Sequence, residues 1–528
     1  MKILVTERIA DKGIEALQKS GMEVLVDVKL SVERDRLLEL VKDYDAIIVR
    51  SVTKIDEEFF KYATNLKVVG RAGSGVDNIN MEAATQRGIL VVNTPEANIV
   101  SAAEHTIGLL IASSRNIPQA NTFIKNRNWD RSAFKGTELQ RKTLGIIGLG
   151  RIGSLVATRM QSFGMNVIAY DPYITDERFI RFSVGKRTNV KDLIRESDFI
   201  TVHTPRTEET YGIIGEEEFK VAKKGLRVVN CARGGIINED ALVKAINEGI
   251  VASAGIDVLE NEPNTTSPLL DLDNVVITPH LGAVTVEAQD NVGVTIAHEV
   301  ISALDGGMVP NAVNLPPLGQ QELETLRSYL KLSEVLGKLY HQLEKEPITK
   351  IEVVYSGAVA NMETSVITLA VLKGVFEPIL KEQVNYVNAK LMSKNRGITV
   401  VESKESANGD YANKIRVNII AKDKTFTVAG TVFAKKDIRI LEVNGFEFDV
   451  NPMPYMLVAN NLDKPGMIGK MGTLMGASKV NIATMQVSRN VKGEEAMMFL
   501  TVDSVVDKDT LKLIGDVEGI SKINFVRL

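Results

Sequence analysis

Among 528 residues there is one cysteine, Cys231, so no disulfide can form within the chain, and a reducing, cytoplasmic setting is the expectation. No apolar run approaches the ~18 residues that a membrane span needs. The opening Met1-Lys2-Ile3-Leu4-Val5 is apolar for too few residues, before Glu7 and Arg8, to form a signal-peptide core. No basic block or stripe stands out and the formal net charge is −4, which argues against a nucleic-acid partner. Low-complexity tracts and fixed-period repeats are missing as well. What is left is an ordinary soluble composition, 44% hydrophobic and 25% charged, at a length that one hydrophobic core does not serve. Three or four domains are the expectation.

From residue 1 to about 97, short apolar runs alternate with amphipathic stretches: Lys2–Thr6, Glu23–Val28, Ala46–Arg50, Lys67–Val69 and Ile89–Val92. Runs of this kind read as strands buried on both faces of a parallel sheet. A helical pattern over Asn98–Arg115 leads into a second series, Thr143–Gly148, Asn166–Tyr170, Asp198–His203, Arg227–Cys231, Ala252–Val258 and Asn274–Thr278. A helix over Val284–Leu304 is expected to return to the first unit. The fold class is thus α/β, with two doubly wound parallel-sheet domains: 1–97 plus about 286–315, and 98–285 inserted between them.

After the linker-like Asn314–Gly319 the texture changes. Two helical stretches are expected before a strand at Ile351–Tyr355. The alternating runs Arg416–Ile420, Thr425–Phe433 and Ile438–Val443 read as antiparallel strands with one wet face. Residues 320–450 are therefore expected to form an α+β domain. Residues 453–528 read as a second one, with the ferredoxin-like order β-α-β-β-α-β.

Gly148-Leu149-Gly150-Arg151-Ile152-Gly153 follows the strand Leu144–Ile147 and opens a helix. In that context G-x-G-x-x-G is a dinucleotide fingerprint: the first glycine makes the tight turn, the second admits a pyrophosphate, and the third lets helix and strand pack closely. Asp171 ends the next strand, where a carboxylate accepts ribose hydroxyls and repels a 2′-phosphate, so NAD is the expected cofactor. The plainer alternative is a glycine turn that binds nothing.

Three chemistry-bearing residues follow successive strands of this unit: Arg233, Glu262 and His280. Ligands of doubly wound sheets bind beyond the carboxyl ends of the strands, so all three belong to one rim. Removing a hydroxyl proton while hydride departs needs a base with a pKa near neutrality, which histidine supplies. A neighbouring carboxylate orients the ring and favours its cation. An arginine fork matches a carboxylate and polarises the adjacent carbonyl. Each residue alone could be structural; together, beside a dinucleotide fold, they read as a catalytic set. His203 is the rival histidine, read as lining the cofactor site, and His105, His298 and His341 read as structural.

With Asn230-Cys231-Ala232-Arg233-Gly234-Gly235, Gly255-Ile256-Asp257-Val258 and Thr278-Pro279-His280-Leu281-Gly282, residues 1–315 resemble the D-isomer-specific 2-hydroxyacid dehydrogenases. The resemblance implies that Arg233 binds the substrate carboxylate and that His280, partnered by Glu262, is the acid/base. It also implies cofactor contacts from Ser74, Gly148, Gly150, Arg151, Ile152, Gly153, Asp171, Thr204, Cys231, Arg233, Asp257, His280, Gly282 and Ala283.

Two features bear on the substrate. Arg50-Ser51 ends one strand, and Arg71-Ala72-Gly73-Ser74-Gly75-Val76-Asp77 follows another. This loop is similar to that of the branch of the family that oxidises 3-phosphoglycerate, and arginines with glycine amides suit a phosphate monoester. Arg131 is a further substrate candidate, which the resemblance places near a subunit contact. The tail, through Asn461-Leu462-Asp463-Lys464-Pro465-Gly466 and Val480-Asn481-Ile482, resembles the amino-acid-binding ACT domain. That implies L-serine as an effector held near Asn461, Asp463 and Asn481, although Asn461 departs from the histidine or tyrosine of some relatives. Altogether the resemblance implies oxidation of 3-phosphoglycerate to 3-phosphohydroxypyruvate with NAD, opening L-serine biosynthesis, in a homodimer or homotetramer. The alternatives are another hydroxy acid, such as 2-hydroxyglutarate, and an NAD-sensing regulator.

Overall fold

The structure is a computed structural model and describes residues 1–381, 384–406, 411–422, 424–434, 436–489 and 494–528. Two parallel sheets make up the first part. The first holds β1 (Lys2–Val5), β2 (Glu23–Val26), β3 (Ala46–Val49), β4 (Val68–Arg71) and β5 (Leu90–Val92) in the order β2-β1-β3-β4-β5. Its central strands are buried along their length, which is why they read as unbroken apolar runs. The helix Val286–Leu304 does return to this sheet, burying Val292, Ile296 and Val300 against Ile3, Val5 and Ile48. It crosses the helix Asp11–Lys19 so closely that a Cβ on Gly13 would lie 2.4 Å from the Gly293 carbonyl oxygen.

The second sheet holds β6 (Thr143–Ile147), β7 (Asn166–Tyr170), β8 (Gly185–Lys186), β9 (Phe199–Val202), β10 (Leu226–Asn230), β11 (Val251–Ile256) and β12 (Val275–Ile277). Their order is β12-β11-β10-β9-β6-β7-β8. The edge strand β8, two residues long, is too short to leave a periodic trace in the sequence. The helix Ile99–Arg115 packs Ala103, Ile107 and Leu110 onto this sheet beside Leu144 and Ile146. The first order is that of flavodoxin-like sheets, and the second is the dinucleotide-binding order with one strand added. In both, the crevice opens where the order reverses, at β1/β3 and β6/β9.

A third sheet has six strands, in spatial order Thr399–Glu405, Lys350–Gly357, Asn413–Ala421, Lys424–Phe433, Asp437–Val443 and Phe446–Val450. The first pair is parallel and the rest are antiparallel. Instead of two helical stretches before this sheet, one continuous helix spans Gln320–Leu343, and the second long helix, Thr364–Leu380, comes after the first strand. The two helices cross at Gly337, where a Cβ would lie 2.3 Å from the Val371 carbonyl oxygen. Gly374 approaches Glu334 in the same way, at 2.2 Å.

The tail runs Tyr455–Leu462, helix Met467–Ala477, Ile482–Arg489, Glu495–Val502, helix Lys508–Gly515 and Ile520–Arg527, the expected β-α-β-β-α-β order. Its helices bury Met471, Met475 and Ile514 on one face of its four-stranded sheet. The centre of the other face is covered as well. Met456, Val458, Met497, Phe499 and Val526 share one hydrophobic core with residues of the third sheet, and the Phe448 and Phe499 rings lie 5.5 Å apart. No helix among the described residues is long and apolar enough to cross a membrane.

Candidate active site

The carboxyl ends of the two parallel sheets face one cleft of about 1260 Å³. From the first sheet come Arg50 and Ser51, just past β3, and Arg71 and Ser74, at and beyond the end of β4. From the second come Ile152, Thr204, Cys231, Arg233, Glu262, His280, Gly282 and Ala283. Expected residues from widely separated parts of the chain thus line one space.

His280 Nδ1 lies 2.6 Å from Glu262 Oε2, and the other Glu262 oxygen accepts from the Leu259 N–H at 3.0 Å. With Nδ1 engaged, Nε2 is the ring nitrogen left for a ligand. His280 has a left-handed backbone (φ 57°), and its N–H donates to the Asp257 carbonyl at 2.9 Å. The Asp257 carboxylate is buried and receives the N–H groups of Leu281 (2.7 Å) and Gly282 (2.9 Å) and the Thr278 hydroxyl (2.5 Å). Burial alone would raise its pKa; the hydrogen bonds from His105, Thr278, Leu281 and Gly282 outweigh it and hold the carboxyl below its ordinary value. Asp257 is not on the cleft wall. It ties down the segment that carries His280.

Arg233 is set by Asn230 at the end of β10: the Asn230 amide donates to the Arg233 carbonyl at 2.9 Å, and its oxygen accepts from the Ala232 N–H at 3.0 Å. Across the cleft, Arg71 is largely buried, and its pKa is lowered to about 10, first by desolvation and then by the charges of Arg233 and Arg50. Its Nε is buried without a partner among the described residues. A half-buried group of cations with an unmet donor suits an anion.

The glycine loop fits a dinucleotide. Gly148 adopts φ 91°, and a Cβ on it would lie 2.6 Å from the His203 carbonyl oxygen. Around Gly150 nothing would come within 4 Å of such a Cβ, which leaves the backbone approachable. At Gly153 it would meet the Gly148 carbonyl oxygen at 2.2 Å, the close packing of helix on strand. Asp171 accepts from the Leu149 N–H at 2.9 Å and from the Tyr173 N–H at 3.0 Å, so its charge is fixed beside the loop. The Thr204 hydroxyl lines the cleft without a partner among the described residues. Arg151 pairs at the surface with Glu96, at 3.2 Å.

His203 lines the cleft, but protein crowds its ring, and the desolvation pushes its pKa down to about 4. It is neutral at ordinary pH and poorly suited to take a proton. Desolvation pushes the Cys231 thiol up to about 12, which removes a nucleophilic role.

Three further groups of expected residues have definite places. His105, read as structural, packs behind the site: its Nε2 lies 3.1 Å from Asp257 Oδ1 and 3.0 Å from Thr278 Oγ1, directly behind the His280 segment. A helical position hid this, because the contact spans 152 residues. Arg131 is exposed, beside the short turn Ser132–Phe134, and does not line the cleft of its own chain. In the tail, Asp463 pairs with Arg489 at 3.2 Å, and Asn481 donates to Asp503 at 2.6 Å. Asn461 is buried and donates to the Leu462 carbonyl at 2.8 Å, with its own oxygen unpartnered among the described residues. Sequence reasoning missed Glu7, Asn78 and Asp77, polar residues in the loops after strands whose partners lie far along the chain, and Asn230, which ends a strand and bonds only two and three residues ahead.

A cleft between two doubly wound units, with a glycine cradle, a histidine–carboxylate pair and a facing arginine, defines a nicotinamide-dependent 2-hydroxyacid dehydrogenase. The model of the D-isomer specific 2-hydroxyacid dehydrogenase NAD binding domain matches residues 107–282, and that of the D-3-phosphoglycerate dehydrogenase intervening domain matches residues 325–444. Proteins named D-3-phosphoglycerate dehydrogenase are similar from end to end. The one from Methanocaldococcus jannaschii is 42% identical over 528 residues, covering 100% of both chains. Those from Archaeoglobus fulgidus and Bacillus subtilis are 44% and 41% identical, with 100% of this chain covered and 100% and 99% of theirs. The chain belongs to the D-3-phosphoglycerate dehydrogenase family.

Solved structures match more than half of it. A protein from Thermus thermophilus is 32% identical, with a TM-score of 0.56, and covers 59% of this chain and 100% of its own. The D-lactate dehydrogenase of Aquifex aeolicus, complexed with NAD and lactic acid, is 28% identical, with a TM-score of 0.51, and covers 58% and 96%.

Proposed function

We propose that this chain oxidises 3-phosphoglycerate to 3-phosphohydroxypyruvate with NAD, the step that opens L-serine biosynthesis. The observation that carries the reading is the convergence of Arg50, Arg71 and Arg233 on one cleft with the His280–Glu262 pair. A substrate with a carboxylate at one end and a phosphate at the other needs cations on both walls, and these arginines stand on both.

In this reading Arg233 binds the substrate carboxylate through its planar fork and polarises the carbon that reacts. His280 takes the hydroxyl proton at Nε2. Glu262, at Nδ1, holds the ring in place and stabilises the imidazolium that results. When bound, NAD supplies the nicotinamide that accepts the hydride. Gly148, Gly150 and Gly153 cradle its pyrophosphate, with the neighbouring Arg151 and Ile152, and Asp171 takes the ribose hydroxyls. Ser74, Thr204, Cys231, Gly282 and Ala283 complete the pocket, while Asp257 acts from behind it. Arg50, Ser51 and Arg71 hold the phosphate end.

We assign 1–97 with 286–315 to substrate binding, 98–285 to NAD, 320–450 to the intervening domain and 453–528 to an ACT-type regulatory domain. The protein works in the cytoplasm as a homodimer or homotetramer. L-Serine is its feedback effector, bound where Asp463 and Asn481 of two tails meet, with Arg131 near the contact between catalytic parts. A panel of 2-oxo acids assayed with NADH tests the reading. The expected outcome is a kcat/KM for 3-phosphohydroxypyruvate well above those for hydroxypyruvate and 2-oxoglutarate; equal values would overturn it.

A further inference from the structure

The turn that follows β3 carries Arg50 and Ser51 into the cleft, and two side chains from elsewhere in the sequence fix it. Glu7, just past the end of β1, is a carboxylate only 8% exposed. Its Oε1 accepts from the Arg50 N–H at 2.8 Å and the Thr53 N–H at 3.0 Å, and its Oε2 from the Val52 N–H at 3.1 Å. From the opposite direction, the Asn78 amide donates to the Arg50 carbonyl at 2.8 Å and to the Thr53 carbonyl at 2.7 Å. The Thr6 and Thr53 hydroxyls meet at 3.0 Å beside this set. One turn thus has three N–H groups taken by a single carboxylate and two carbonyls taken by a single amide.

Neither residue bonds to the Arg50 guanidinium. Each acts on the backbone that carries it. Asn78 also ends the Arg71–Asp77 loop, so its two bonds lock the Arg50 turn to the loop that brings Arg71 and Ser74 to the cleft. Glu7 does a second thing. Arg50 and Arg233 both disfavour the charge on Arg71, and Glu7 and Asp77 oppose them. A buried anion behind the turn lets several arginines stand close together before any substrate arrives, the preorganisation that saves binding free energy later.

We propose that Glu7 and Asn78 are positioning residues for the substrate's phosphate end: they set the Arg50–Thr53 turn, and with it the place of Arg50, without touching substrate. This rests on the reading of Arg50 as a phosphate ligand. Hydrogen bonds to a charged acceptor are among the stronger ones in proteins, so weakening the set should cost roughly tenfold or more where the turn matters.

The test compares Glu7→Gln, Asn78→Ala and Arg50→Ala in the full-length protein, with 3-phosphohydroxypyruvate and hydroxypyruvate as paired substrates and NADH affinity read by fluorescence titration. Glu7→Gln keeps the size but loses the charge, and it turns an NH2 toward the N–H donors. The expected result for Glu7→Gln and Asn78→Ala is a KM for the phosphorylated substrate raised about tenfold, with kcat and NADH affinity close to wild type. The loss on hydroxypyruvate should be clearly smaller. Asn78→Ala removes the other half of the clamp on the loop side, so it decides the matter should Glu7→Gln fail to fold. If Arg50→Ala separates the two substrates and the soluble clamp variants do not, the positioning proposal is overturned and the phosphate reading stands. If Arg50→Ala itself weakens both substrates equally, the phosphate reading falls and takes the proposal with it.

Discussion

Asp77 reaches across the cleft to Arg233, with its Oδ2 3.2 Å from the guanidinium Nε. The two residues come from different parallel-sheet units, and the contact joins a loop of one to a loop of the other. Asp77 is 61% exposed, so the pair is weak, and a substrate carboxylate offering two oxygens to the fork can displace it. Arg233→Ala should raise KM for every 2-oxo acid by roughly 10- to 10²-fold, the span of a lost charge-assisted hydrogen bond. Arg233→Lys should recover little, because a point charge does not replace a planar fork. Steady-state kinetics on two substrates of different length will check this; an effect confined to the phosphorylated one would put Arg233 at the other end of the substrate.

His280→Ala should lower kcat by about 10² to 10⁴, the usual contribution of a general acid/base, and leave NADH binding intact. Glu262→Gln should also lower kcat, by less, since the ring keeps a hydrogen-bonding neighbour but loses the charge that stabilises its cation. Fluorescence titration with NADH separates this from a folding defect.

Asp171→Ala should narrow the preference for NAD over NADP, measured as the ratio of kcat/KM values. The fixed carboxylate beside the glycine loop is what would repel a 2′-phosphate. An unchanged ratio would assign the discrimination elsewhere.

His203 gives a pH prediction with a definite sign. Its folded pKa, about 4, is below the ordinary 6.5, so between these values the unfolded chain binds the extra proton and the folded protein does not. His203 therefore makes the protein lose stability as pH falls through that window, and the loss stops growing below about 4. His203→Asn should flatten the dependence of denaturation midpoint on pH between 6.5 and 4. Iodoacetamide should modify native Cys231 only slowly at mildly alkaline pH, because the thiol titrates near 12.

The shared core alters what truncation should do. Removal of residues 453–528 uncovers an apolar face that Met456, Val458, Phe499 and Val526 now cover, so that fragment should melt lower and aggregate. A fragment ending near residue 315 avoids this cut. It should reduce 3-phosphohydroxypyruvate without a response to L-serine. In the full protein, calorimetry should detect L-serine binding that Asp463→Ala and Asn481→Ala each abolish; no binding to the intact protein would remove the effector proposal alone.

The sequence by itself determined the elements whose physics is local. Buried parallel strands announce themselves as apolar runs such as Ala46–Val49, and the spacing of Gly148, Gly150 and Gly153 is set by one turn and one helix start. Arg233, Glu262 and His280 could be put on one rim because each lies in the loop after a strand, and strand ends in such a sheet share a side. Tertiary structure decided everything that depends on which distant segments meet. Only it brought His105 behind Asp257, Glu7 and Asn78 to the two sides of the Arg50 turn, and the tail's second face onto the third sheet. Hydrogen bonds between segments as far apart as 43 and 152 residues leave no periodicity, since a buried carboxylate or amide is spelled the same way as a solvated one.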